Sequence, residues 1–403
     1  MPTSRRDFLK TSGLASSLLF VPTFLHALDR QGLRDLRDAR GRRLVVVQLG
    51  GGNDGLNTII PYENDLYYKA RPTLGIRQQS GILTLDQGLG LNPAMTRLKG
   101  LYDHGQLAVL NSVGYPNPDR SHFRSMDIWQ SGSASDQYLS TGWLGRYLDS
   151  NCAACQLPYN GLEVDDTLSL AMKGDLRKGL ALKNPEKFHQ ITQNRFIAQV
   201  SGEKPQGTLS ELDYLYKTLA ETSSSADYLY QKAKVYKSVV AYPNTEFGRN
   251  LKTTAELINS GVASRVYYVS LSGFDTHVRQ REQQGKLLGD LSDGLASFVE
   301  DLQKAGNLDD TLVLVFSEFG RRVTQNASNG TDHGTANNVL LLGGGLKQKG
   351  ILNAAPDLAN LQDGDLRHQL DFRSLYATVL HDWLEADDAA VLGSRFERLK
   401  GLV

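Results

Sequence analysis

The sequence predicts an α/β domain: a largely parallel sheet with helices on both faces and an inserted helical cap. Three observations predict it. Short apolar runs bounded by glycine or polar turns recur at residues 44–49, 107–113, 265–271, 311–316 and 339–342, as strands buried on both faces do. Helical patterns lie between them. In the clearest, residues 279–304, Leu287, Leu288, Leu291, Leu295, Phe298, Val299 and Leu302 share one face at spacings of three and four. Strands alternating with helices call for a sheet covered on both sides. The block at about 151–242 breaks the alternation: it is rich in polar residues and tyrosine, includes Glu221-Thr-Ser-Ser-Ser-Ala226, and has no comparably apolar run. It reads as an insertion after which the sheet resumes, so residues 28–403 form a single domain.

Charge and the N-terminus set the setting. Lysine plus arginine and aspartate plus glutamate both number 44, so no overall field draws the chain to nucleic acid or an anionic surface. Ser4-Arg5-Arg6-Asp7-Phe8-Leu9-Lys10 precedes an apolar segment from Gly13 to Leu25 and resembles the twin-arginine export signal. That segment, interrupted by Pro22, falls short of the ~20 residues of a membrane span. With small Ala27 as the cleavage point, residues 1–27 read as a signal peptide and the mature protein as periplasmic or secreted. The resemblance implies the twin-arginine translocase as a partner, and folded export with any metal already in place. Cys152 and Cys155 would form a local disulfide in an oxidising compartment. A redox-active pair is the alternative.

The first strand runs into Gly50-Gly51-Gly52-Asn53-Asp54-Gly55. The spacing matches a dinucleotide fingerprint, but a pyrophosphate site needs a helix directly after the glycines and an acid ~20 residues on. Pro61 interrupts such a helix, and residues 68–75 hold no carboxylate. What remains is Asp54 at a strand's carboxyl end, where ligands of open α/β sheets gather. Alone, it is a turn cap.

It is not alone. Asp275 and His277 follow the run at 265–271, Glu318 follows the run at 311–316, and Asp332-His333 precedes the run at 339–342. Carboxylates and imidazoles at successive strand ends are the donors that zinc, manganese or iron sites require. Each singly has a structural explanation as a cap, ion pair or loop residue, but their recurrence points to a metal centre.

The segments LGGGNDGLNT, RSHFRSMDIWQSG, GFDTH, SEFGRR, DHGTANNVLLLGGG and DFRSLYATVLHDWL resemble the bacterial exported family called domain of unknown function 1501. More distantly, the motif order resembles the alkaline phosphatase and sulfatase superfamily. That resemblance implies an alkaline-phosphatase-like fold and a divalent metal (zinc, manganese or calcium) held by Asp54, Asp275, His277, Glu318, Asp332 and His333. It also implies a nucleophile near the helix around Trp129. Counting back lands on His122, with Ser121 before it; Ser121 would attack, or His122 would be a ligand or covalent carrier. Arg124 and Arg321, with Arg120 and Arg322 nearby, would clamp an oxyanion. The sequence departs from the superfamily at Phe319, which stands where a histidine usually follows the acid, and in the tight Asp275–His277 spacing. Two functions follow. One is an exported metal-dependent hydrolase of phosphate or sulfate esters acting on a small anionic substrate. The other is a non-catalytic exported binding or assembly protein that retains the fold.

Overall fold

The computed structural model describes residues 41–150, 158–193 and 211–403. The segment read as a signal peptide (1–27) and the Cys152/Cys155 pair lie outside the described residues. Every apolar run expected as a strand is one. In chain order the main sheet comprises β1 (Arg43–Gly50), β2 (Leu107–Gly114), β3 (Gly161–Glu163), β4 (Leu180–Ala181), β5 (Val266–Ser272), β6 (Thr311–Ser317), β7 (Asn337–Leu342), β8 (Gly350–Ile351) and β9 (Leu370–Asp371). The spatial order is β8-β2-β7-β6-β1-β5-β3-β4, with β9 also on β2. All neighbours pair in parallel except β7, which runs antiparallel to both β2 and β6.

The alternation along β1 shows why these runs are uninterrupted by polar residues. Val45 and Val47 enter one core, and Leu44 and Val46 the other, since successive strand residues point to opposite faces. Over the first face pack α1 (Thr96–Asp103), through Leu98, and further along the chain the helices Glu246–Asn259 and Gln280–Lys304. Over the second lie α2 (His122–Ser131) and α3 (Trp143–Ser150), with the helix Phe372–Thr378. There the Trp129 ring stacks between Phe316 at 4.9 Å and Phe372 at 4.3 Å. The expected α/β class, a mostly parallel sheet with helices on both faces, is the one observed.

We number the remaining long helices α4 (Glu211–Lys232), α5 (Glu246–Asn259), α6 (Gln280–Lys304) and α7 (Phe372–Thr378). The block read as an insertion contributes more than a helical cap. Within its described residues, β3 and β4 extend the main sheet, and Leu229 of α4 enters the same core as α5 and α6. Among the described residues, no helix is long and apolar enough to cross a membrane.

Candidate metal centre

Because β7 is reversed, it begins at the edge of the sheet where β1, β2, β5 and β6 end. The loops leaving those strands and the loop entering β7 therefore meet along one rim. The glycines after β1 serve that meeting. Gly51 (φ 112°) passes so close to the loop after β5 that a Cβ would lie 2.5 Å from the Asp275 nitrogen, and on Gly52 a Cβ would lie 2.1 Å from the Phe319 ring. The loops at Gly320 and Gly334 are zipped by a backbone bridge between Arg321 and His333, which fixes His333 at the rim.

Four of the expected residues come together there. Asp275 Oδ1 lies 3.1 Å from His277 Nε2, 3.2 Å from His333 Nε2 and 3.5 Å from His122 Nε2. His277 Nε2 and His333 Nε2 are 3.0 Å apart. Donors about 2.0–2.1 Å from a tetrahedral cation lie roughly 3.3 Å from one another; His122, Asp275 and His333 bring one donor atom each within 4.8 Å of one another, with His277 adjoining Asp275 and His333.

The opposite ring nitrogens decide the electronic state of the group. His122 Nδ1 faces Glu318 Oε1 at 2.8 Å, His277 Nδ1 faces Asp332 Oδ1 at 3.2 Å, and His333 Nδ1 faces the Arg120 carbonyl at 2.8 Å. Carboxylates and carbonyls only accept, so each Nδ1 bears a proton, and a ring held in that tautomer presents its Nε2 lone pair to a cation. Three lone pairs and a carboxylate oxygen then crowd one point. The Nε2 of His122 is buried and has no hydrogen-bond partner. A cation at that point satisfies all four donors, and ring N–H groups donating to carboxylates or carbonyls are the usual outer support of metal-bound histidines.

Electrostatics differ from one member of the cluster to the next. The hydrogen bond to Glu318 raises the His122 pKa, whereas burial lowers that of His333. For Asp275, burial opposes the charge, but the Arg321 guanidinium at 2.7 Å, aided by His333 and His277, outweighs it and brings the carboxyl to about 2. Hydrogen bonding from Asn326 is the main cause of the lowered Asp332 pKa, with His277 contributing.

Other expected site residues have different roles. Asp54 caps the short helix Gly55–Thr58 through Leu56 N, and its other oxygen accepts from Arg71 Nη1 at 2.6 Å and from Gln280. Both side chains of the Asp54–Arg71 pair are fully buried, so Asp54 is spent on an internal ion pair rather than turned toward the cluster. Glu318 and Asp332 orient rings instead of contributing to the shell. Glu318 also accepts from Gly51 N at 2.8 Å, and Asp332 from Asn326 at 3.2 Å.

Of the arginines expected at the oxyanion, Arg321 is wholly engaged and Arg124 is engaged through one amino group, its buried Nε having no partner. Arg124 donates to the carbonyls of Ala134, Ser135 and Gln137 and lies 3.8 Å over the Tyr138 ring. Arg321, its side chain fully buried, binds the carbonyls of Gly51, Gly52, Phe274 and Thr331 as well as Asp275. Ser121 is the exposed N-cap of α2, and its side chain makes no capping bond. Phe319 lies against His122 and His333, its ring centroid 4.8 Å from each. The carbonyl of Arg120 was the member no sequence signal marks, because any residue supplies one.

The family described as "Protein of unknown function (DUF1501)" matches residues 41–403. The chain belongs to this family. No match to a curated protein was found for this DUF1501 chain. Among solved structures it is similar to the PsFucS1 sulfatase from Pseudoalteromonas sp. (12% identity, TM-score 0.37, covering 91% of this chain and 71% of that one). It is also similar to the phosphonate monoester hydrolase SpPMH from Silicibacter pomeroyi (10%, 0.35, 89% and 78%). A third is the C-terminal periplasmic domain of EcEptC from Escherichia coli (13%, 0.37, 88% and 86%). Similarity at this level says nothing of substrate or of individual residues.

Proposed function

We propose that His122, Asp275, His277 and His333 hold one divalent cation and that this DUF1501 protein is an exported metal-dependent hydrolase of phosphate or sulfate esters. The observation that carries the reading is that the Nε2 atoms of His122, His277 and His333 each lie within 3.5 Å of Asp275 Oδ1, each ring held by an acceptor on its far side. Three nitrogens and one oxygen suit zinc or manganese. Calcium, which takes six to eight oxygens, is ill matched. When bound, such a cation polarises the ester and stabilises charge on the transferring group. Glu318, Asp332 and the Arg120 carbonyl keep the three rings in the ligating tautomer, and Arg321 keeps Asp275 ionised. The Ser121 side chain makes no capping bond and, among the described residues, no side chain bonds its hydroxyl, so the reading assigns attack to water, with the alcohol leaving. The twin-arginine-like N-terminus supports export through the corresponding translocase.

A second reading, an exported binding or assembly protein that keeps the metal without turnover, is favoured by that unactivated Ser121 and by Phe319 packed beside the rings. One experiment separates them. The purified protein is assayed for bound metal and for hydrolysis of aryl phosphate and sulfate esters, beside Asp275→Ala and His333→Ala. The hydrolase reading expects about one metal per chain and turnover that both substitutions abolish. Metal without turnover supports the binding protein, and a metal-free wild type that takes up no zinc sinks both.

A further inference from the structure

The His333 ring has an acceptor on either side. The Arg120 carbonyl lies 2.8 Å from Nδ1, and Asp275 Oδ1 lies 3.2 Å from Nε2. Burial lowers the His333 pKa, so at neutral pH the ring is uncharged and has one proton for the two acceptors. With the proton on Nδ1, Nε2 is open to a cation. With it on Nε2, the ring donates to Asp275 and two donors of the centre close on each other. The position of one backbone carbonyl therefore decides between the two states.

A residue outside the cluster holds that carbonyl in place. The hairpin of residues 361–366 pairs Leu361 with Leu366 and Gln362 with Asp365, and it brackets the His333–Arg120 hydrogen bond. On one side Asp365 Oδ2 accepts from Arg120 Nε at 2.9 Å and from Arg120 Nη2. On the other, the Leu366 carbonyl accepts at 2.6 Å from the hydroxyl of Thr335, two residues past His333. Arg322 adds a second tie. Its Nη1 donates to the Asp363 carbonyl at 3.0 Å, and its backbone N donates at 3.0 Å to the carbonyl of Asp332, one residue before His333. Asp119, next to Arg120, is bonded instead to Tyr115 and Ser125, so among the described residues the Asp365 pair is what ties Arg120 across to the hairpin.

Stability alone accounts poorly for this pair. Asp365 is wholly buried, its Oδ1 has no hydrogen-bond partner, and burial raises its pKa against the pull of Arg120. A buried carboxylate left half satisfied costs free energy that an apolar residue would not.

We infer that Asp365 is a positioning residue of the metal centre: by holding Arg120 it keeps that residue's carbonyl on His333 Nδ1 and leaves the His333 Nε2 lone pair to the cation. The inference rests on the metal-site reading above and deepens it by naming what sets the tautomer of one ligand.

The test uses the full-length protein and the variants Asp365→Ala, Asp365→Asn, Arg120→Ala and the double Asp365→Ala/Arg120→Ala. Nitrogen NMR of the labelled, metal-free protein at neutral pH, assigned with His333→Ala, reads the His333 tautomer, and competition with a chromogenic chelator reads zinc affinity. Wild type should carry the His333 proton on Nδ1. In Asp365→Ala and Arg120→Ala the proton should shift toward Nε2 and zinc affinity fall about tenfold, the low end for outer supports of metal-bound histidines. The double variant should fall no further, since both changes cut one tie. Asp365→Asn, which keeps an acceptor for Arg120, should lie between. An unchanged tautomer overturns the inference even where affinity drops, because a merely structural role would do that. Unchanged affinity in Asp365→Ala, or losses that add in the double variant, overturn it too. Should Asp365→Ala fail to fold, Arg120→Ala decides by the same readings, since it keeps the carbonyl and removes the tie. A wild type that takes up no zinc is the separate failure of the metal reading, because the tautomer is read without metal.

Discussion

At the scale of single residues, the cluster divides into atoms that would touch a cation and atoms that aim them. Glu318 is the clearest of the second kind, because it is wholly buried and reaches both Gly51 N and His122 Nδ1. Replacing Glu318 with Ala frees the His122 ring to rotate and to take the other tautomer. Metal affinity should then fall about 10–100-fold, read by competition with a chromogenic chelator; unchanged affinity would show that the ring needs no such support. Asp54 behaves oppositely. Asp54→Ala leaves Arg71 charged in the interior, and unfolding by urea should show a loss of about 3–5 kcal/mol, while zinc affinity of the folded fraction is retained. Sequence reasoning grouped these two acids because both follow an apolar strand. What separates them is which partner lies within reach: Arg71 for one, an imidazole for the other, and neither partner is close in sequence. By contrast, Asp275, His277 and His333 were expected near one another only because acids and imidazoles recur at successive strand ends, and the structure places them together.

At the scale of elements, the reversal of β7 is what makes the site possible. An apolar run does not encode its direction, so the sequence marked residues 339–342 as a strand but not which end faced the rim. His333 precedes that strand and reaches the rim only because β7 is antiparallel to β2 and β6. The glycines after β1 were legible as a special turn, yet their reason, contact with Asp275 and Phe319, needs the neighbouring loops in place. Strand β3, next to the sheet's edge strand β4, was hidden for another cause: three residues inside a polar block carry no periodic signal. It brings a buried acid with it. Glu163 accepts from Ser169 N at 2.7 Å, but burial dominates and pushes its pKa from 4.5 up to about 7. The folded state thus holds this proton more tightly than the unfolded state. Its share of stability is fully present below about pH 4.5, declines as pH rises to about 7, and is absent above. A shift of that size corresponds to roughly 3 kcal/mol. Glu163→Gln keeps an acceptor for Ser169, so its unfolding free energy should exceed that of the wild type at pH 8 by about 1–3 kcal/mol. The gap should close at pH 4.5. A difference independent of pH would mean the carboxyl is already ionised without penalty.

Across the whole molecule, the four donors come from three separate connections: the one after β2, the one after β5 and the one entering β7. Buried Arg321 ties the connections after β5 and before β7, and the Arg120 carbonyl on His333 Nδ1 joins the one after β2, while Asp275 and His277 remain about half exposed. A cation there would take up the Asp275 carboxylate and the ring nitrogens that face it. A bound ion ties connections that belong to both halves of the sheet, and its binding free energy adds to folding. Zinc at about 100 times its Kd should therefore add about 2.7 kcal/mol to global stability, visible as a rise in Tm that a chelator reverses. Calcium at the same concentration should leave Tm unchanged, because three imidazole nitrogens are poor partners for a hard cation. His122→Ala should abolish the zinc response, each variant's Tm with zinc being compared with its own metal-free Tm. A zinc response that persists in His122→Ala would place the ion elsewhere and return His122 to the helix N-terminus as an ordinary partner of Glu318.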